Sequence, residues 1–224
     1  MPALQEIAWL FILIALLCAL IVVADLCLRP PQPIWVMNLV WPVTALYAGP
    51  FGLILYCCLG RMSAQGSRAA VVHRTLYCGA GCITGYLVAE GLLPFIPFTV
   101  AGSALYGRWT LEMICAFVIG ILFQYVAIRA MEAAGPAARL MGFWRTLLAA
   151  LKADTLPLIA WQVGMYGGMA IATFLVFKHP LSPLDPVFWW IMQMAMVLGF
   201  WTAYPVNILL PRNAYICPTT ARQT

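Results

Sequence analysis

The stretch His73–Pro94, HRTLYCGAGCITGYLVAEGLLP, decides how the rest of the chain is read. Side chains four apart on a helix lie one above the other. Cys78, Cys82, Tyr86 and Glu90 keep that spacing and form one ridge of thiol, thiol, phenol and carboxyl. Beside the ridge, Gly81 and Gly85 make a Gly-x-x-x-Gly step, which lets a second helix approach to backbone contact inside a bilayer. A polar ridge next to such a groove is expected to face protein. A charged carboxylate at mid-bilayer costs roughly 2.5–3.5 kcal/mol on insertion scales. Glu90 must therefore be protonated, paired, or set against a wet cavity.

Composition explains why bilayer depth enters at all. Of 224 residues, 64% are hydrophobic and 8% charged, and the mean hydropathy is +0.94. A soluble domain carries about 25% charged residues. The chain therefore reads as a single membrane domain, residues 1–224, with the lipid bilayer as its first partner. The net charge of +5 lies almost entirely between apolar runs, with no basic patch interleaved with aromatics, which excludes nucleic acid. Most of the eight cysteines fall inside apolar runs or beside a cytoplasmic face, so they do not form a disulfide framework. The first residues carry Glu6 and no basic cluster, so the first apolar run is expected to be a retained helix.

A span needs about 20 apolar residues. Six candidates follow: residues 7–24, 34–59 (interrupted by Pro42 and Pro50), 76–93, 111–128, 155–177 and 186–210 (with Pro205 inside). The fold class is thus all-α, a polytopic bundle of about six transmembrane helices. Residues 94–108 are expected to be a loop, open to re-entering the membrane. Residues 137–151 show amphipathic spacing and suit either an interfacial helix or a cytoplasmic extension of the fifth span. The tail after Pro211 is expected to fray.

Six spans put both termini on one side. That side holds Arg61, Arg68, Arg74, Arg129, Arg139, Arg145, Lys152, Arg212 and Arg222, against Arg29, Arg108 and Lys178 opposite. Nine against three makes the first side cytoplasmic.

Depth then sorts the intramembrane polar residues into two groups. The inner group is Cys78, Cys82, Gln124, Asp154, Gln162, Tyr204 and Asn207; the outer is Glu90, Glu112 and Gln193. Glu112, Ala116, Gly120 and Gln124 form a second ridge of four. The plain use of Gln, Asn and Tyr in membranes is to join helices. Trp41-Pro42-Val43-Thr44 and Tyr204-Pro205-Val206-Asn207 echo each other. Each proline frees a carbonyl one turn back, and Thr44 and Asn207 are candidates to satisfy it. Cys78 and Cys82 are soft ligands that suit copper or zinc, with His73, Met165 or Met169 as further donors, although a buried cysteine is often only a small apolar residue. Cys57 and Cys58 are adjacent, and are expected to pack or face lipid. His73 and His179 are the only histidines and both are expected in loops, so haem is not expected. No residue set offers a nucleophile with its base, so enzymatic activity is not expected.

Several stretches together resemble a known family. They are Val40-Trp41-Pro42-Val43-Thr44-Ala45-Leu46-Tyr47 with Gly49-Pro50, Cys78-Gly79-Ala80-Gly81-Cys82, Gly120-Ile121 with Phe123-Gln124-Tyr125, Lys152-Ala153-Asp154, Trp161-Gln162-Val163-Gly164-Met165-Tyr166-Gly167 and Tyr204-Pro205-Val206-Asn207. The set resembles an uncharacterised family of bacterial polytopic membrane proteins, a domain of unknown function, over roughly residues 37–210. The resemblance implies a helical fold in the bacterial inner membrane and brings no activity. It also implies Asp where this chain has Tyr86, and often His where it has Tyr77, so the metal-like pattern is weaker here.

Three functional classes remain. One is soft-metal handling, copper first, through Cys78 and Cys82. Another is proton or small-solute permeation through Glu90 and Glu112. The last is a structural or assembly subunit, with a membrane-protein partner or as a homo-oligomer. The topology is checked by reporter fusions, which are expected to place Arg145 in the cytoplasm and Arg108 across the membrane. Finding both on one side contradicts it.

Overall fold

The computed structural model describes residues 2–29, 35–61, 67–96, 99–134 and 142–210. Within them the chain is helical, and its only bridge pairs Val100 with Ser103. The helices are α1 (Pro2–Leu28), α2 (Met37–Ala48), α3 (Pro50–Leu55), α4 (Ser67–Leu92), α5 (Ala104–Ala134), α6 (Phe143–Ala170) and α7 (Pro186–Leu209). A π-helical turn extends α3 over Tyr56–Arg61, and another extends α6 over Ile171–Val176.

Among the described residues, four segments are long and apolar enough to cross a membrane: Ala3–Leu28, Ala104–Ala130, Phe143–Val176 and Pro186–Leu209. The other two expected spans differ for physical reasons. The second is broken. Gly49 adopts φ 54° and ψ −130°, a backbone open to glycine, and Pro50 then starts α3. Pro42, by contrast, lies inside α2 without ending it. The third, α4, begins nine residues before the expected start and carries Arg68, His73 and Arg74 in its first two turns. His73 is thus helical, not in a loop.

α4 falls short on hydropathy because little of it faces lipid. It packs against α5, α7, α2 and α6, and every residue from Thr75 to Ile83 is buried. A helix enclosed by helices is selected for small side chains that let its neighbours close in. α1 is the opposite case. Leu13, Leu17 and Leu20 are exposed, while Ala8, Ala15, Cys18 and Val22 make a narrow buried stripe, and α1 packs on α2, α3 and α7.

The closest backbone approach between helices, among the described residues, is antiparallel, between α4 and α5. A Cβ added to Gly81 would stand 2.6 Å from the Gly120 Cα, and one added to Gly85 would stand 2.4 Å from the Ala116 Cα. The Gly81–Gly85 step therefore meets the ridge of Ala116 and Gly120 read from the sequence. Trp161 of α6 fills the next layer. It is fully buried, its ring would meet a Cβ at Gly79 or Gly199 within 3 Å, and it packs edge-on against Tyr47 at 6.0 Å. One side chain thus ties α6 to α2, α4 and α7.

Local signals set the helix ends. Asp185 caps α7, its Oδ1 accepting from the Val187 N–H at 2.9 Å, with Pro186 at the first helical position. Residues 143–151 form the first turns of α6, which runs on through Pro157. Residues 137–141, the corner 30–33 and the tail beyond Leu210 lie outside the described residues. Cys57 and Cys58 are exposed at the end of the broken second segment.

Gly85→Val is expected to lower the stability of the purified protein by about 1–3 kcal/mol, the usual cost of overpacking a tight contact. Gly91→Ala, with nothing within 4 Å of the added carbon, is expected to be neutral. Thermal unfolding in detergent compares them, and equal midpoints contradict the α4–α5 contact.

Candidate functional site

The antiparallel register that sets Gly85 beside Ala116 also sets Glu90, in the last turns of α4, beside the start of α5. That start lies earlier than expected. α5 begins at Ala104, so Arg108 is a helical residue four before Glu112 rather than a loop cation. Arg108 Nε lies 3.1 Å from Glu90 Oε1, and its Nη2 donates to Glu90 Oε2 at 3.4 Å. The same Nε is 3.9 Å from Glu112 Oε1. Glu90 is thus paired with the guanidinium, by one charge-assisted hydrogen bond from Nη2 and a close ion pair to Nε. Phe188 of α7 packs beneath the guanidinium, 5.6 Å from ring centroid to Cζ. Two carboxyls share one guanidinium, and the Glu112 side chain is 2% exposed.

The polar contacts continue inward. Glu112 interacts with Tyr166, whose hydroxyl donates to the Trp109 carbonyl at 2.7 Å. The Tyr166 and Tyr86 rings meet edge to face at 6.2 Å. Tyr86 donates its hydroxyl proton to Gln162 Oε1. Gln162 is 5% exposed, and its Nε2 has no partner among the described residues. Next along α4 come Cys82 and Cys78, both fully buried. Cys78 interacts with Cys82 and Asp154, and Asp154 in turn with Arg74. From Glu90 to Arg74 is sixteen residues, about 24 Å along a helix.

Other sequence candidates go elsewhere. Gln193 does not join Glu90 and Glu112. Its Nε2 donates to the Leu46 carbonyl at 3.0 Å, the acceptor left open because Pro50, four residues on, has no N–H. Asn207 does not serve the carbonyl freed by Pro205. It donates to Thr75 Oγ1 of α4 at 3.1 Å and to the Ala203 carbonyl at 3.2 Å. Thr44 donates to Val40, not to the Asn38 carbonyl that Pro42 frees. Tyr204 stacks on Phe200 at 5.9 Å. Gln124 is buried, with its Oε1 unpartnered among the described residues.

For a metal, the neighbouring thiols of Cys78 and Cys82 are two donors. Among the described residues no group of three or more His, Cys, Asp and Glu side chains is placed to hold an ion. The His73 ring packs edge-on against Trp41 at 5.6 Å.

Sequence reasoning missed Arg108 as a site residue, and the Arg108-x-x-x-Glu112 spacing was the signal that could have found it. It read Arg74 as a topology marker alone and passed over Trp161, whose role depends on glycines in two distant helices. Asp25, just past the first expected span, accepts from the Tyr56 hydroxyl at its Oδ2 at 2.5 Å, joining α1 to the broken second segment.

Arg108→Gln leaves two buried carboxyls without their cation. The expected cost is roughly 2–3 kcal/mol, below the roughly 3–5 kcal/mol of a fully buried pair because Arg108 keeps some solvent contact. Adding Glu90→Gln to that variant is expected to recover part of the loss. A double-mutant cycle on thermal unfolding measures the coupling, and strictly additive effects contradict the clamp.

Residues 68–214 match the family described as a domain of unknown function (DUF4396). No curated protein and no solved structure matches the chain. The family match covers α4 from its second residue and all of α5, α6 and α7, the helices that build the polar line, and the chain belongs to the DUF4396 family.

Proposed function

We propose that this is a bacterial inner-membrane protein with six spans and cytoplasmic termini, which passes protons along the buried line beside α4. The six spans would be α1, the broken α2–α3 segment, α4, α5, α6 and α7. The enclosure of α4 by α2, α5, α6 and α7 supports counting it as a span despite its modest hydropathy, as does the charge asymmetry.

The observation that carries the reading is the Arg108-clamped carboxyl pair, continued through Tyr166 and Tyr86 to Gln162. Intramembrane carboxylates are costly and mark ion or proton routes. A carboxyl takes up and releases a proton, and a phenol hydroxyl both donates and accepts. Glu90 and Glu112 would exchange protons with the outer face. Cys82, Cys78 and Asp154 would continue the route toward Arg74 and the cytoplasm. The line runs between packed side chains, where hydrogen-bond exchange moves a proton more readily than a hydrated solute can pass. For this reason proton transfer is favoured over solute permeation. Copper or zinc handling is the weaker reading, since it has two thiols and no third donor beside them among the described residues.

Proteoliposomes with an internal pH dye and an imposed potassium diffusion potential test the proposal. Wild-type vesicles are expected to acidify faster than empty ones. Glu112→Gln and Glu90→Gln are each expected to reduce the rate at least tenfold, and Tyr204→Phe, off the line, to leave it unchanged. Flux equal to empty vesicles, or unaffected by either Gln variant, would make the bundle a packing scaffold or a subunit of a larger complex.

A further inference from the structure

Each arm of the broken second segment is too short to cross a membrane alone. α2 has 12 residues, and α3 and its π-helical turn have 6 each. An arm is thus about 18 Å long at helical rise, against about 30 Å for the hydrocarbon core. Laid end to end the arms would span it, but they lie side by side. A Cβ added to Gly52 would stand 2.7 Å from the Thr44 carbonyl oxygen and 2.8 Å from the Ala45 Cα. One added to Gly60 would stand 2.9 Å from Cε2 of the Trp41 ring. The Trp41 and Tyr56 rings meet edge to face at 5.5 Å. Every pair straddles the break at Gly49 and Pro50, and the pairs step outward from it on both sides. In one continuous helix Trp41 and Gly60 would be about 28 Å apart. α3 therefore folds back along α2.

Neighbouring helices fix the depth of the base and the tip. At the base, Tyr56 reaches Asp25 near the end of α1, and Trp41 meets His73 in the early turns of α4 at 5.6 Å. The same end of α4 holds Thr75, bonded to Asn207 near the end of α7. At the tip, Gly49 is buried, and a Cβ added to it would stand 4.0 Å from the Ala15 Cβ. Ala15 is the central residue of α1 (Pro2–Leu28), so the tip stops near mid-depth. A broken backbone is tolerated there only inside protein, with its polar groups satisfied. Gln193 of α7 takes the Leu46 carbonyl, and the Gly49 N–H donates to the Ala45 carbonyl at 2.9 Å. The first half of α1 lies toward the opposite face. Phe11 packs on Trp190 at 5.8 Å, in the same turn of α7 as the Phe188 beneath Arg108.

We infer that α2 and α3 form a re-entrant hairpin that enters and leaves at the cytoplasmic face, and that the chain crosses the membrane five times with its N-terminus outside. The six crossings proposed above become five at this one segment. α1 reverses direction, while α4 to α7 and the polar line keep theirs. The basic residues support the change. Arg29 joins the nine on the cytoplasmic side and leaves Arg108 and Lys178 opposite, so nine against three becomes ten against two. The tip also brings Tyr47 to α4, where it interacts with Cys78 and Cys82. The hairpin thereby walls the inner half of the buried line.

Labelling with a membrane-impermeant sulfonated maleimide, on right-side-out and inside-out vesicles holding the full chain, tests the sidedness. Mass spectrometry assigns each label to its cysteine. Lys178→Cys and Arg145→Cys mark the outer and inner faces in either arrangement. Gln5→Cys, at an exposed position, is expected to react from the face that exposes Lys178→Cys. Gln32→Cys is expected to react from the face that exposes Arg145→Cys. Six crossings reverse both results, and either reversal overturns the hairpin. Asp25→Cys combined with Tyr56→Cys supplies a distance. Oxidation by copper phenanthroline is expected to join the two, whereas a crossing segment would hold them near opposite faces. Absence of that link in a variant with wild-type thermal unfolding also overturns the hairpin. None of these measurements reads proton flux, so the topology and the proton route fail separately.

Discussion

The backbone contact between α4 and α5 is the constraint on which the rest of the bundle depends. Gly120 and Ala116 occupy the space that side chains at positions 81 and 85 would need. In a bilayer the hydrophobic effect does not drive helices together, so association rests on close packing and on hydrogen bonds between helices. The two small-residue steps supply the first. Their register then aligns Glu90 with Arg108 and Glu112, which supplies the second. A shift of either helix by one residue would turn Gly85 and Glu90 away together. Packing and polar pairing therefore specify the same alignment.

Burial of α4 sets the environment of its polar groups. Water is excluded along Thr75–Ile83, so polar groups on α4 and on the helices packed against it are strongly felt by their neighbours. Some are satisfied within the bundle: Thr75 by Asn207, Tyr86 by Gln162, Glu90 by Arg108. Others have no hydrogen-bond partner among the described residues, including Asp154 Oδ2, Gln162 Nε2 and Gln124 Oε1. Gln193 and Tyr56 show the opposite use of polarity, as fasteners. They tie α7 and α1 to the broken second segment, where Gly49 and Pro50 interrupt the helix ladder.

What could be read in advance was whatever repeats within one helix. The ridge of Cys78, Cys82, Tyr86 and Glu90, the Gly81–Gly85 step and the ridge from Glu112 to Gln124 all follow from a spacing of four. Their mutual register could not be read, because two such ridges can slide past each other without any change in composition. Arg108 was lost for a related reason. The first turn of α5 is too polar to register as membrane helix, so its partnership with Glu90 and Glu112 looked like loop chemistry. Trp161 and Gln193 act on residues more than eighty positions away, on Gly79 and Leu46, and no local pattern announces such a partner. The four-residue echo at Pro42 and Pro205 suggested a common role for Thr44 and Asn207. Their actual acceptors, Val40, Thr75 and Ala203, depend on which neighbour each side chain faces.

The most direct measurement of this account is footprinting of the reconstituted protein by a carbene generated within the acyl layer, mapped by mass spectrometry. Side chains open to lipid, such as Leu13, Leu20, Val118 and Val163, are expected to be labelled, and residues 75–83 of α4 to remain clear. Labelling of residues 75–83 to the extent seen at Val118 would mean that the helix lies against lipid, and would contradict the enclosed polar line.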